Sequence, residues 1–169
     1  MYGHVPHVAP EAWFHILYPQ LQEKDLVELE NRLRRPIPDP YRQFLKITNG
    51  LTLFSGALDL EGLRRDYSRR VAIREPFDLG DPNIRERPRA AEPRWFIFAF
   101  YQADGSRAYV DPDGGHVYRS NRDMTKPRLN HWPSFDEFLA REVRRLTTHF
   151  DRRGRRLDPS RSTAPEPAS

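Results

Sequence analysis

The residues of this 169-residue chain that could do chemistry are few and poorly grouped. Asp111-Pro112-Asp113-Gly114-Gly115 starts like a calcium loop. Gly115, however, stands where a third oxygen ligand belongs, and Arg122 where the closing bidentate glutamate belongs, so the spacing predicts a turn. His4, His7 and His15 could in principle gather a metal, but no carboxylate is spaced to complete a ligand set. The chain has no cysteine, which removes a disulfide framework, a thiolate metal site and a thiol nucleophile. It contains no GxSxG, HExxH or GxxxxGK pattern. The expectation is a protein that is not an enzyme and uses no cofactor and no metal.

Charge decides little. The net charge is +4 and the pI about 9.6, but only Lys24, Lys46 and Lys126 among the 28 basic residues are lysines, and 16 prolines accompany the arginines. That pattern suits a compositional bias better than selection for phosphate. Arg144, Arg145, Arg152, Arg153, Arg155 and Arg156 cluster near the C-terminus and could release counterions from a nucleic acid. No base-stacking or groove-reading motif accompanies them, so nucleic acid ranks behind a protein partner. The N-terminus lacks the pattern of a secretory signal, and the run WFIFAFY is too short to span a bilayer. No membrane association is expected, and a cytoplasmic location is.

The elements that must position any site follow from periodicity. A short helix is expected within residues 10–18, from Trp13, Phe14 and Leu17, closed by Pro19. Residues 23–34 predict a helix with Leu26, Leu29 and Leu33 inward. A third helix starts at Asp39, a capping residue, and Pro40, and carries Tyr41, Phe44 and Leu45 before Asn49-Gly50 ends it. LTLF and ALDL, joined by Ser55-Gly56, predict a pair of short strands within 51–60. Residues 61–74 fit a helix with Leu63, Tyr67 and Val71 inward, and 77–93 a long charged loop of the kind that often binds something. Residues 134–150 predict a closing helix, with Ser134 and Glu137 at capping-box spacing and Phe135, Phe138, Leu139, Val143, Leu146 and Phe150 in one stripe. The Arg- and Pro-rich residues 151–169 are expected to be disordered.

Residues 95–120 predict a three-stranded antiparallel meander. A two-residue Asp104-Gly105 turn would pair Tyr101 with Ala108 and Phe100 with Tyr109, and a turn of residues 112–115 would pair Val110 with Val117 and Tyr109 with Tyr118. One face then holds Trp95, Ile97, Ala99, Tyr101, Ala108, Val110 and Val117 and suits packing under helices. The other holds Phe96, Phe98, Phe100, Arg107, Tyr109, His116 and Tyr118. Aromatic rings mixed with Arg and His are enriched at interface hot spots, which makes Arg107, Tyr109, His116 and Tyr118 the candidate partner-binding residues. The three phenylalanines are more simply covered by the N-terminal segment or the long loop, because exposing them would be costly.

The ordered set of motifs resembles the SUKH superfamily. LVELENRLRRPIPDPYRQFLKITNGLTLFSGALDLEGL is similar to its N-terminal signature, and FIFAFY, DGSRAYVDPDGGHVYR and WPSFDEFLAREVRRL continue the likeness. The resemblance implies an α+β fold, an antiparallel sheet packed by N-terminal helices and a C-terminal helix, and no general catalytic motif. It also implies, from many bacterial members, an immunity protein that binds and neutralises a cognate toxin; a fungal cell-wall synthesis regulator is a relative. The organisation expected is an N-terminal extension over 1–20, one domain over 21–150 and a tail over 151–169. Nucleic-acid binding through the Arg-rich end, or a generic regulatory interaction module, are the alternatives.

Overall fold

The computed structural model describes residues 1–9, 12–68 and 74–168. Its described strands form one antiparallel sheet in chain order: β1 (Tyr2–His4), β2 (Trp13–Leu17), β3 (Leu51–Leu53), β4 (Leu58–Leu60), β5 (Phe96–Phe100), β6 (Arg107–Asp111), β7 (His116–Ser120) and β8 (Asn130–Trp132). Helices α1 (Glu23–Leu33), α2 (Asp39–Leu45) and α3 (Phe135–Thr147) bury their apolar stripes in a common core with one face of the sheet. The fold is α+β, as expected.

Local chemistry explains the helices, with some corrections. In α1 the Asp25 carboxylate accepts from the Gln22 backbone N–H at 2.8 Å, and Leu26, Leu29 and Leu33 point into the core. Asp39 lies inside the first turn of α2, where its charge suits the helix dipole, and Pro38 occupies the cap. The helix stops at Leu45, short of Asn49-Gly50, and that pair has another task. The Asn49 amide donates to Leu63 O at 2.8 Å and accepts from Leu63 N at 2.6 Å. Gly50 has φ +83°, and a Cβ there would come within 2.7 Å of Leu60 O. In α3 the Ser134 hydroxyl accepts from Glu137 N at 3.2 Å, but the Glu137 carboxylate turns to Arg141. This helix ends at Thr147 rather than at residue 150, and Val143 is 36% exposed on its outer side.

Three expectations fail for tertiary reasons. Residues 13–17 form strand β2, not a helix, because the edge of β3 is available: His15 pairs with Leu53 and Leu17 with Leu51. The N-terminal segment is therefore part of the same sheet. Residues 61–68 are not helical, and Tyr67 is 54% exposed; Val71 lies outside the described residues. The tail expected to be disordered instead runs back along α3. Arg145 donates to Thr163 O at 2.8 Å, Ala168 N donates to Leu129 O at 2.8 Å, and Thr163 and Ala164 are buried. Backbone hydrogen bonds and one arginine supply what the tail's apolar area cannot.

The meander forms, and β6 and β7 pair in the expected register, Val110 with Val117 and Tyr109 with Tyr118. The β5–β6 register is corrected twice. The connection spans residues 102–105, closed by Tyr101 N donating to Ser106 O at 2.9 Å and Gly105 N to Tyr101 O at 2.8 Å. A bulge between Ile97 and Ala99 then shifts the pairing by one, so that Phe96 faces Val110 and Ile97 faces Tyr109. A one-residue shift swaps faces. Phe96 and Phe98 consequently lie in the helix-side core, while Trp95 and Ile97 join Tyr109 and Met124 in a smaller cluster on the back of the sheet.

Candidate interaction surface

On the back of the sheet, β6 carries Arg107 and Tyr109 and β7 carries His116 and Tyr118, but these four do not form one patch. His116 and Tyr118 meet His131 of β8, which sequence reasoning missed. The Tyr118 and His131 rings stack at 5.1 Å, the two imidazoles lie 4.9 Å apart, and His131 Nε2 is hydrogen-bonded to His116 Nδ1 at 3.1 Å. Arg128 sits over the Tyr118 ring at 4.9 Å, a cation–π contact, with its side chain 60% exposed. The result is a shelf of half-exposed rings and one exposed guanidinium at the β7–β8 edge.

Tyr109 lies beneath this shelf. Its ring is 4.4 Å from Trp95 and 5.7 Å from Tyr118, it is fully buried, and burial pushes its hydroxyl up to about 12. It can support a contact surface but cannot belong to it. The one sequence signal for His131 was Asn130-His131-Trp132: Trp132 turns to the core, so alternation must send His131 the other way.

Arg107 belongs to a different place. Its guanidinium lies 3.9 Å from Glu61 Oε1, at the base of a cavity of about 660 Å³ between residues 77–86 and the β5–β6 connection. Glu61 is 3% exposed, and burial holds its carboxyl well above the usual range; Arg107 opposes that shift, and Asp81, Asp78 and Asp59 add to it. Asp59, on the same face of β4, is pushed up to about 6 by burial, despite hydrogen bonds from Thr52 at 2.6 Å and Gln102 at 3.0 Å. Neither acid was singled out from sequence. The long segment covering them carries a π-helical turn (Asp81–Arg85), and Asn83 within it ties to Ile97 through N–H and C=O, at 3.1 and 2.6 Å. Phe77 packs edge-on against Phe100 at 4.8 Å, so this loop covers one of the three phenylalanines, as anticipated.

The remaining candidates stay apart. Asp111 to Gly115 forms the β6–β7 turn, with Gly114 N donating to Pro112 O at 2.8 Å. His4 lies against Trp13, and His15 Nδ1 accepts from Phe54 N at 3.3 Å. No group of three or more metal-ligating side chains occurs among the described residues, and no helix among them is long and apolar enough to cross a membrane. Of the arginine cluster, Arg145 is bound to Glu142 at 2.6 Å, and Arg156 donates to backbone oxygens of Asp158 and Arg161.

A search of the curated proteins found no match. The SMI1 / KNR4 family (SUKH-1) matches residues 20–141, from the approach to α1 into α3, leaving β1, β2 and the tail outside. The family is generally non-catalytic and supports a protein-interaction or immunity-type role. By that match, which spans well over half of its length, the chain belongs to the SMI1 / KNR4 family (SUKH-1).

Proposed function

We propose that this protein is a cytoplasmic immunity protein that neutralises a cognate toxin by stoichiometric binding, with Tyr118, His116, His131 and Arg128 at the centre of its contact surface. The family membership carries the reading. The shelf supplies a surface that fits it, because aromatic rings and arginine on a rigid sheet give contact area at little entropic cost. Binding would occlude the toxin's active site or substrate path through an interface on the order of 1,600 Å².

The test is co-expression with the toxin domain encoded beside it. Cells should survive with this protein and die without it, and the two should co-purify one to one. Tyr118→Ala and Arg128→Ala should each weaken the complex about tenfold, or about 1.4 kcal/mol. Absence of any stable complex with that domain sinks the reading. If the Arg-rich end binds nucleic acid instead, affinity for random RNA should fall steeply with salt, and that slope should vanish when Arg152, Arg153 and Arg155 are changed to Gln.

A further inference from the structure

The cavity over Glu61 has the features of a ligand site rather than of a packing defect. Glu61 Oε2 and Arg107 Nε are both buried and have no hydrogen-bond partner, although the two side chains approach to 3.9 Å. A buried acceptor left without a donor costs about 1–3 kcal/mol, and more when charged, so such an atom calls for a missing partner. The cavity's volume of about 660 Å³ lies within the range of small-ligand sites. Phe77 and Phe100 give it an apolar wall, and Phe77 is 43% exposed.

Charge selects the class of ligand. Four carboxylates line the cavity, Glu61, Asp81, Glu86 and Asp104, against the two guanidiniums of Arg107 and Arg122, and Arg85 is ion-paired with Asp81 at 2.6 Å. The orphaned Oε2 needs a donor, and the surrounding field favours a positive one. Among cations, a guanidinium is planar and weakly hydrated, and it can lie on an aromatic ring while donating to a carboxylate, whereas an ammonium is costlier to strip of water. We propose that this cavity is a receptor for one guanidinium group, whose N–H donors pair with Glu61 and whose plane lies against the Phe77–Phe100 wall. The group belongs either to a small molecule or to an arginine side chain of a bound protein. The inference does not rest on the immunity reading, because binding of a free alkylguanidinium is measured with no toxin present.

The test is titration of the isotopically labelled full-length protein with ethylguanidinium chloride, followed by amide NMR against an equal concentration of sodium chloride. Saturable shifts are expected at Phe77, Phe100, Gly105 and Arg107, with affinity in the millimolar range or tighter. Glu61→Gln should weaken binding at least tenfold. Ala103→Trp, at an exposed position on the cavity wall, should block it with the thermal midpoint unchanged, which keeps the test decisive even if Glu61→Gln unfolds. Because Glu61 must ionise to pair and burial opposes its ionisation, binding should tighten as the pH rises. Asp59 from β4, Asp78, Asp81 and Glu86 from the covering segment with Arg85 paired to Asp78 and Asp81, Asp104 from the β5–β6 connection, Arg107 from β6, Arg122 beyond β7 and Tyr41 from α2 are the titratable and charged groups around it. A second arm uses N-acetyl-Gly-Arg-Gly-amide. Tighter binding than ethylguanidinium points to a protein's arginine, and equal binding to a small molecule; both support the proposal. No saturable response from either probe, or binding unchanged in both variants, overturns it.

Discussion

The two faces of the sheet solve the same burial problem differently. On the helix side, Tyr41 illustrates the solution: its ring packs within 6 Å of Phe44, Phe96, Phe98 and Phe135, and its hydroxyl donates to Glu61 O at 2.5 Å. The back face is covered by an irregular segment, and it leaves Glu61 Oε2, Arg107 Nε, Trp95 Nε1 and Tyr109 Oη buried without partners, against Tyr101 Oη alone in the helix-side core among the described residues. Regular helices present a continuous apolar stripe and satisfy their own backbone, so they can cover a sheet with little polar residue. A loop cannot, and what it leaves unsatisfied is where a ligand or partner can gain free energy.

The sharpest way to break this contrast is to remove a ring from each side. Phe98, fully buried against Tyr41, Phe135 and Phe138, should cost about 3–5 kcal/mol when changed to Ala. Phe100, half-buried against Phe77 on the back, should cost about half as much or less. Urea denaturation of both variants gives the comparison, and equal losses would mean that the loop packs as tightly as the helices.

Titration comes next in size. Asp59 is pushed up to about 6 by burial, while an unfolded Asp titrates near 3.9, so the folded state holds an extra proton between roughly pH 4 and pH 6. Stability should therefore rise as the pH falls from 7.5 to 5, because above the folded value the buried charge penalises folding in full. A gain of about 1–2 kcal/mol is expected between urea curves at those two pH values, with Glu61 contributing in the same direction. The acids whose values are lowered, such as Asp123 and Asp158, oppose this only at lower pH, but His15 and His149, which burial holds below the ordinary imidazole value, oppose it within this window. The Asp59 share is the part of this pH dependence that Asp59→Asn removes, and an unchanged slope in that variant would show that burial does not penalise the Asp59 charge.

A smaller effect probes the link between the faces. Tyr41→Phe removes the hydroxyl that holds the backbone of Glu61 from the helix side, and should cost about 1–2 kcal/mol with the ring packing kept. Denaturation measures it, and a neutral result would mean that Phe98 O and Glu61 O find other donors.

The same contrast governs what the sequence disclosed. The helix stripes of α1 and α3, the Ser134 cap, the β3–β4 pair and the β6–β7 register were legible because each is set by local spacing. The β5 face was not. Trp95 to Tyr101 is apolar at every position, so alternation carries no information about which side is inward, and the bulge after Ile97 has no signature of its own. Residues 13–17 fit both a helical and a strand pattern, and only the free edge of β3 decided between them. At the candidate surface, His116 and Tyr118 were legible, but His131 and Arg128 lie between the expected meander and the closing helix, where periodicity marks no element. Asp59 and Glu61 alternate with Leu58 and Leu60, which places them opposite the leucines. Nothing in the spacing reveals that residues 77–86 come down over them and turn two surface acids into buried ones.

The smallest expected effect tests whether the shelf is a surface at all. Arg128 is mostly exposed; it lies over the Tyr118 ring, 3.8 Å from the Asp111 carboxylate and near the Tyr109 hydroxyl. Exposed pairs of this kind contribute about 0–1 kcal/mol, so Arg128→Ala should change the urea midpoint by less than about 0.5 kcal/mol in stability. His116→Ala should behave alike, since the His131 imidazole it leaves is exposed and can bond to water. A residue that folding barely needs is free to be used for recognition, and these substitutions should therefore register in complex formation and not in stability. If either one instead destabilises the fold by 2 kcal/mol or more, the shelf is a structural brace between β7 and β8, and the contact surface has to be sought elsewhere on the molecule.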